Sequence, residues 1–153
     1  MRGLFKNNTG FTLIEMLVVV AIIGLLSSVI LTALGPAKDK AKDTRIISDV
    51  NQVRSIAETL YANSNYDALE LLPSNNIQNQ NLKGLSDDVA AQGGVLTTIK
   101  SQPAPAKNYL VYSSLNVKTG DSNNPITQYY CVDSAGHSVT TENEPSGSVC
   151  PAN

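Results

Sequence analysis

Three groups of residues in this chain are of types that could do chemistry. Glu15 lies in Gly10-Phe11-Thr12-Leu13-Ile14-Glu15-Met16-Leu17-Val18-Val19-Val20, almost at the start of a long apolar run. A carboxylate is costly to place in hydrocarbon, so it needs a partner. Asp133, Ser134 and His137 fall within five residues and have the types of an orienting acid, a nucleophile and a base. Cys131 and Cys150, with 18 residues between them, are thiols that could ligate a metal, stay free or join each other.

The second group is weak as a catalytic site. A triad needs an exposed nucleophile, a base oriented behind it and donors for an oxyanion. Asp133-Ser134-Ala135-Gly136 has the composition of a tight turn, which offers neither a pocket nor water exclusion. Catalysis is not expected, and His137 reads as a surface turn residue. Metal binding is equally thin. Two thiols and the one histidine fall short of a four-ligand zinc site. Asp121, Asp133, Glu142 and Glu144 could supply oxygens to calcium, but they follow no loop signature. No cofactor is expected.

The elements that must position these residues divide the chain into two unlike parts. Its 153 residues average a mean hydropathy of -0.07, which hides the division. From Phe11 to Leu34 the sole charge is Glu15, whereas the remainder is rich in Asn, Ser, Thr, Gly and Pro. The formal charge of -2 is also uneven, because residues 1–10 hold Arg2 and Lys6 and no acid. The rest is acidic and carries no nucleic-acid footprint.

Phe11–Leu34 is 24 residues, which as a helix spans about 36 Å, enough to cross a bilayer core. A cleaved secretory signal would need a shorter apolar core before its small-x-small site, and Ala33-Leu34-Gly35 comes too late. A plain membrane anchor explains the length but neither Glu15 nor the abrupt junction at Gly10-Phe11. The third reading is a cut at that junction.

MRGLFKNNTG followed by FTLIEMLVVVAIIGLLSSVIL resembles the N-terminus of type IV prepilins and the related pseudopilins. The shared features are a short basic leader ending in Gly, then Phe-Thr-Leu-Ile-Glu and an apolar helix. The resemblance covers residues 1 to about 35 and continues loosely beyond. It implies that a membrane peptidase cuts after Gly10 and methylates the new amino terminus at Phe11. It also implies the orientation. Arg2 and Lys6 on one flank and Lys38, Lys40, Lys42 and Arg45 on the other leave the positive-inside rule equivocal.

Such a cut gives Glu15 a partner, the amine it creates. Pairing within one helix is one possibility, since Glu15 is four residues from Phe11 and an acid suits the first turn. The resemblance implies the other: Glu15 of one subunit neutralising the Phe11 amine of its neighbour. Gly24, Ser28 and Thr32 form a four-residue stripe of small residues that would let helices approach, or are ordinary small residues in an anchor. Pro36 lacks an N–H, so a kink or locally melted helix is expected there.

After Pro36 the pattern changes. Ile46/Ile47, Val50, Val53, Ala57 and Leu60/Tyr61 follow three-four spacing, which predicts an amphipathic helix over 37–62. Residues 63–106 are poorly patterned and read as a variable surface loop, with a short helix around Leu85–Gln92 capped by Ser86. Asn108–Val117, Ile126–Val132 and His137–Thr141 read as strands, with a polar turn over Thr119–Pro125. Tyr109, Tyr112, Tyr129 and Tyr130 read as core and cross-strand packing. Cys131 and Cys150, behind an export-type N-terminus, read as a disulfide, with two free thiols as the alternative.

The expected fold class is therefore α+β. A long N-terminal helix, membrane-spanning in its first half and amphipathic in its second, packs on a small antiparallel sheet of three to four strands with a C-terminal disulfide loop. The expected organisation is a leader at 1–10, a membrane and polymerisation helix at 11–35 and a head at 36–153, whose sheet and disulfide loop occupy 107–153. The resemblance implies a pilin subunit that is not an enzyme and polymerises into an extracellular filament. Its alternatives are a pseudopilin of a type II secretion-like system and a minor pilin acting as a binding module. Implied partners are the prepilin peptidase and methyltransferase, other pilin subunits, the inner-membrane assembly machinery and, before assembly, membrane lipid. Nucleic acid is not expected.

Overall fold

The computed structural model describes residues 10–61, 64–71, 77–121 and 123–151. The expected leader lies outside them apart from Gly10. By its contacts the chain divides into two units, Met1–Ala37 and Lys38–Asn153. Helix α1, Leu13–Leu60, contributes to both.

In the first unit α1 exposes its apolar side chains on every side, among them Leu17, Ile22, Leu26 and Val29. An eighteen-residue window of α1 has a mean hydropathy of 2.8 and no buried residue, so it is a candidate membrane span by length and composition. Pro36 lies inside α1, which keeps its helical form there. Of the kink or local melting expected there, melting is not seen. A proline removes one hydrogen bond, and the helical turns on either side remain intact. Ser28 and Thr32 turn their hydroxyls back onto the Leu25 and Val29 carbonyls at 2.8 and 2.9 Å, the usual way such residues are tolerated mid-helix.

In the second unit the three-four spacing does what it predicts. Ile46, Val50, Val53, Ala57 and Leu60 are buried and share a core with Tyr109, Val111, Leu115 and Val132. Each fully buried aliphatic side chain contributes roughly 1.5–3 kcal/mol. The sheet is an antiparallel meander in the order β1-β2-β3-β4: Leu96–Lys100, Tyr109–Asp121, Asn124–Asp133 and Ser138–Thr141. Alternation along β2 sends Tyr109 and Val111 to the helix side. Leu110 and Tyr112 go to the other face, where they pack with Cys131 and Cys150.

The region read as a loop is more structured than its composition suggested. Helix α2, Ile77–Ala91, begins eight residues before the expected start, so Ser86 lies in its interior and is not a cap. Leu82 and Val89 are buried on it at helical spacing, within a sequence whose amides hid the pattern. It ends in a Schellman motif, with Gly93 N–H bonded to the Ala90 carbonyl and Gly94 N–H to the Val89 carbonyl, both at 3.0 Å. Gly93 takes a φ of +93° there. Gly94 is needed for space, since a Cβ would stand 2.6 Å from Ser113 Oγ. Strand β1 also falls inside the expected loop. Leu96-Thr97-Thr98-Ile99-Lys100 is β-branched, but too short to declare itself before its pairing with β2. The expected polar turn at Thr119–Pro125 is tighter, because β2 runs to Asp121 and β3 starts at Asn124.

Candidate functional site

At the N-terminal junction Gly10, Phe11 and Thr12 precede the first helical residue, Leu13. Phe11 is 79% exposed. The Thr12 hydroxyl accepts the Glu15 N–H at 3.3 Å, while Glu15 Oε2 accepts the Thr12 N–H and the Thr12 hydroxyl, each at 2.8 Å. This is a reciprocal capping box, in which a threonine and a glutamate three residues later satisfy helix-start donors that have no carbonyl of their own. Thr12-Leu13-Ile14-Glu15 before an apolar run is the sequence signature of that motif. Glu15 thus has a local role that neither pairing hypothesis included. Its Oε1 has no hydrogen bond among the described residues. The Phe11 nitrogen is an amide to Gly10 in this sequence, not an amine.

Cys131 and Cys150 form a disulfide with Cα atoms 5.9 Å apart. Beside it, Asp133 is 1% exposed and collects donors. Its Oδ1 accepts the Ala135 and His137 N–H groups at 3.0 and 2.9 Å, and its Oδ2 meets the Cys150 N–H and His137 Nδ1, each at 2.9 Å. Burial pushes this carboxyl up, but the Cys150 and His137 bonds outweigh it and hold it below its ordinary value. The Ser134 hydroxyl is turned to the Tyr109 N–H at 3.3 Å. Asp133, Ser134 and His137 are therefore brought together as the frame of a turn. Arg54 on α1 clamps the same turn by donating to the Asp133 and His137 carbonyls.

Further polar residues of α1 reach the sheet, and sequence reasoning did not find them. Asp43 is buried, and its Oδ1 accepts the Asn116 N–H at 2.6 Å while its Oδ2 accepts the Val117 N–H at 2.8 Å. These N–H groups lie where the β2–β3 register shifts between Ser114 and Lys118, so the carboxylate supplies acceptors that the ladder does not. Glu58 accepts the hydroxyls of Tyr66 at 3.0 Å and Tyr109 at 2.9 Å. Burial and the Glu58 charge push Tyr66 up to about 12 and raise Tyr109 as well. Of the other tyrosines, Tyr112 and Tyr129 meet edge to face with centroids 6.0 Å apart. Tyr130 reaches Asn51. All four pack within the sheet or against α1, as expected.

The comparisons bear on the N-terminal junction. The family described as the prokaryotic N-terminal methylation motif matches residues 5–31, which include Gly10, Phe11, Thr12 and Glu15. This chain carries the N-terminal methylation motif. Over 60 residues it is 37% identical to the type IV wide pilus major component PilA4 of Thermus thermophilus, a match covering 39% of this chain and 46% of that protein. The chain therefore spans less than half the length of the curated relative it matches. No solved structure matches the chain.

Proposed function

We propose that this chain is a type IV pilin subunit. A prepilin peptidase cuts it after Gly10 and methylates Phe11, and α1 then holds it in the inner membrane until it polymerises into an extracellular filament. The observation that carries this reading is the match of residues 5–31 to the methylation motif, which spans a helix start organised by Thr12 and Glu15. In this reading residues 1–10 are the leader, 11–35 the membrane and polymerisation segment and 36–153 the head. Other pilin subunits and the assembly machinery are the partners, with lipid in their place before assembly.

Glu15 has two successive uses under this proposal. Before assembly Thr12 satisfies one carboxylate oxygen and the helix start together. On assembly the free oxygen meets the methylated Phe11 amine of a neighbour, and the attraction of two charges at low dielectric offsets their desolvation. The relative's printed role as a major pilus component supports polymerisation. The Cys131–Cys150 bond supports a pilin over the pseudopilin alternative, because the major pseudopilins often lack such a bond.

The test is intact mass and imaging of material sheared from cells. Long filaments whose subunit mass begins at methylated Phe11 are the expected result. Soluble monomer beginning after Gly35 overturns the proposal, and so does normal filament yield from Glu15→Ala at normal subunit levels.

A further inference from the structure

Glu144 borders a groove on the face of the sheet opposite to α1. The groove has a volume of about 260 Å³ and is lined by Val95, Thr97, Tyr112, Ser114, Tyr129 and Glu144. Cross-strand register assembles its floor, since Thr97 stands opposite Tyr112 and Ser114 opposite Tyr129. The Cys131–Cys150 bond closes the loop that carries Glu144 back over the sheet and so supplies the wall.

The chemistry of this groove is one-sided. Tyr112 donates its hydroxyl to Glu144 Oε1 at 2.8 Å, while Oε2 has no hydrogen bond among the described residues. No Lys, Arg or His lines the groove. A carboxylate beside two aromatic rings suits an ammonium or guanidinium group, which gains an ion pair and a cation–π contact together. The volume falls below the roughly 300–1,000 Å³ usual for sites that enclose a free small molecule. It has room for one long side chain.

The chain itself offers such side chains. Of the lysines beyond α1, Lys107 and Lys118 are exposed and their ammonium groups have no partner among the described residues, whereas Lys83 is paired to Asp87 and Lys100 to the Asp67 carbonyl. We propose that the Tyr112–Tyr129–Glu144 groove receives a lysine ammonium, from Lys107 or Lys118, of a second copy of this chain. The inference rests on the filament reading above and adds a contact between heads to the contact between helices.

Zero-length carbodiimide coupling of filaments formed by the full chain tests it, with Glu144→Gln as the decisive variant. Glutamine retains an oxygen for the Tyr112 hydroxyl and removes only the charge. The expected result is a covalent dimer on a denaturing gel containing a Glu144–Lys107 or Glu144–Lys118 isopeptide. That dimer is lost in E144Q, whose filaments also dissociate at lower NaCl. Wild-type filaments whose dimers omit Glu144, or E144Q filaments with unchanged dimer and salt midpoint, overturn this inference and leave the filament reading intact. Failure of the wild type to polymerise overturns both.

Discussion

The Asp133 carboxylate accepts the backbone N–H of Cys150 at 2.9 Å, so the residue that closes the disulfide is also held by a buried acid. Two anchors of different kinds therefore fix the same loop, and each can be removed separately.

Asp133→Asn should cost about 2–3 kcal/mol, the range for losing bonds to a buried charged acceptor. Its melting temperature in detergent should fall by roughly 10 °C or more, taking 4–8 °C per kcal/mol for a small domain. The pH dependence follows from the depressed folded value of Asp133. The stabilisation is full above the ordinary carboxylate range and is lost as pH falls through the folded value. Thermal melts between pH 7 and pH 2 should show the wild type and D133N converging at the acid end. A constant gap would refute the assignment.

Replacing both cysteines, Cys131→Ser with Cys150→Ser, should cost on the order of 3 kcal/mol through the freed unfolded chain. Because Asp133 still holds the loop, the folded spectrum should persist at 25 °C. Circular dichroism against denaturant reads this directly, with loss of the folded baseline as the contrary outcome.

Asp49 should behave in the opposite way to Asp133. It is buried, its Oδ2 has no partner, and Arg45 is bound to Asp88 at 2.7 Å. Burial first, and the Asp88 charge second, hold the Asp49 carboxyl above its ordinary value. A raised acid is tolerated while protonated, and its penalty grows as pH rises through the folded value. Asp49→Asn should therefore raise the melting temperature at pH 7 and lose that advantage near pH 3. An unchanged or lowered melting temperature at pH 7 would contradict this.

Asp43→Ala leaves the Asn116 and Val117 N–H groups without the acceptor they have now. Fully buried donors left unpaired cost about 1–3 kcal/mol each, and these half-buried ones fall toward the lower end. Amide exchange at Asn116 and Val117 should accelerate more than at Tyr109 or Val111. Uniform acceleration would mean that Asp43 acts only through global stability.

Thr12→Val removes the hydroxyl half of the capping box, whereas Thr12→Ser keeps it. Caps of this kind contribute about 0.5–2 kcal/mol. In bicelles, amide exchange over Leu13–Met16 should rise in T12V and stay near wild type in T12S. Equal exchange in the two variants would show that the hydroxyl does not matter.

Much of this architecture was legible because it is periodic. The run from Phe11 to Leu34 declared a span by length, and Ile46 to Leu60 declared a buried stripe by spacing. The strands around Tyr109 and Tyr129 declared themselves by β-branched and aromatic content. The polar ties were not legible. Asp43 meets Asn116 and Arg54 meets the His137 carbonyl across more than seventy residues of sequence, and no local pattern announces such pairs. On paper Asp43, Asp49 and Arg54 looked like the solvated face of an amphipathic helix. The start of α2 was missed because Gln78, Asn79 and Gln80 weaken the apolar rhythm, although Asn79 is itself buried. The Thr12–Glu15 box is legible as the Thr-x-x-Glu spacing before an apolar run, a local partner distinct from the Phe11 amine.

The placement of Cys131 determines where tension enters the sheet. Strand β4 lies within the loop that the disulfide closes, between Cys131 and Cys150. A pull at Pro151 therefore bypasses the edge strand. It is delivered through sulfur to β3, which is paired on both sides by β2 and β4. An edge strand peels one bond at a time, but an inner strand must shear many at once. Under load at the C-terminal end, that path is the difference between unzipping and holding.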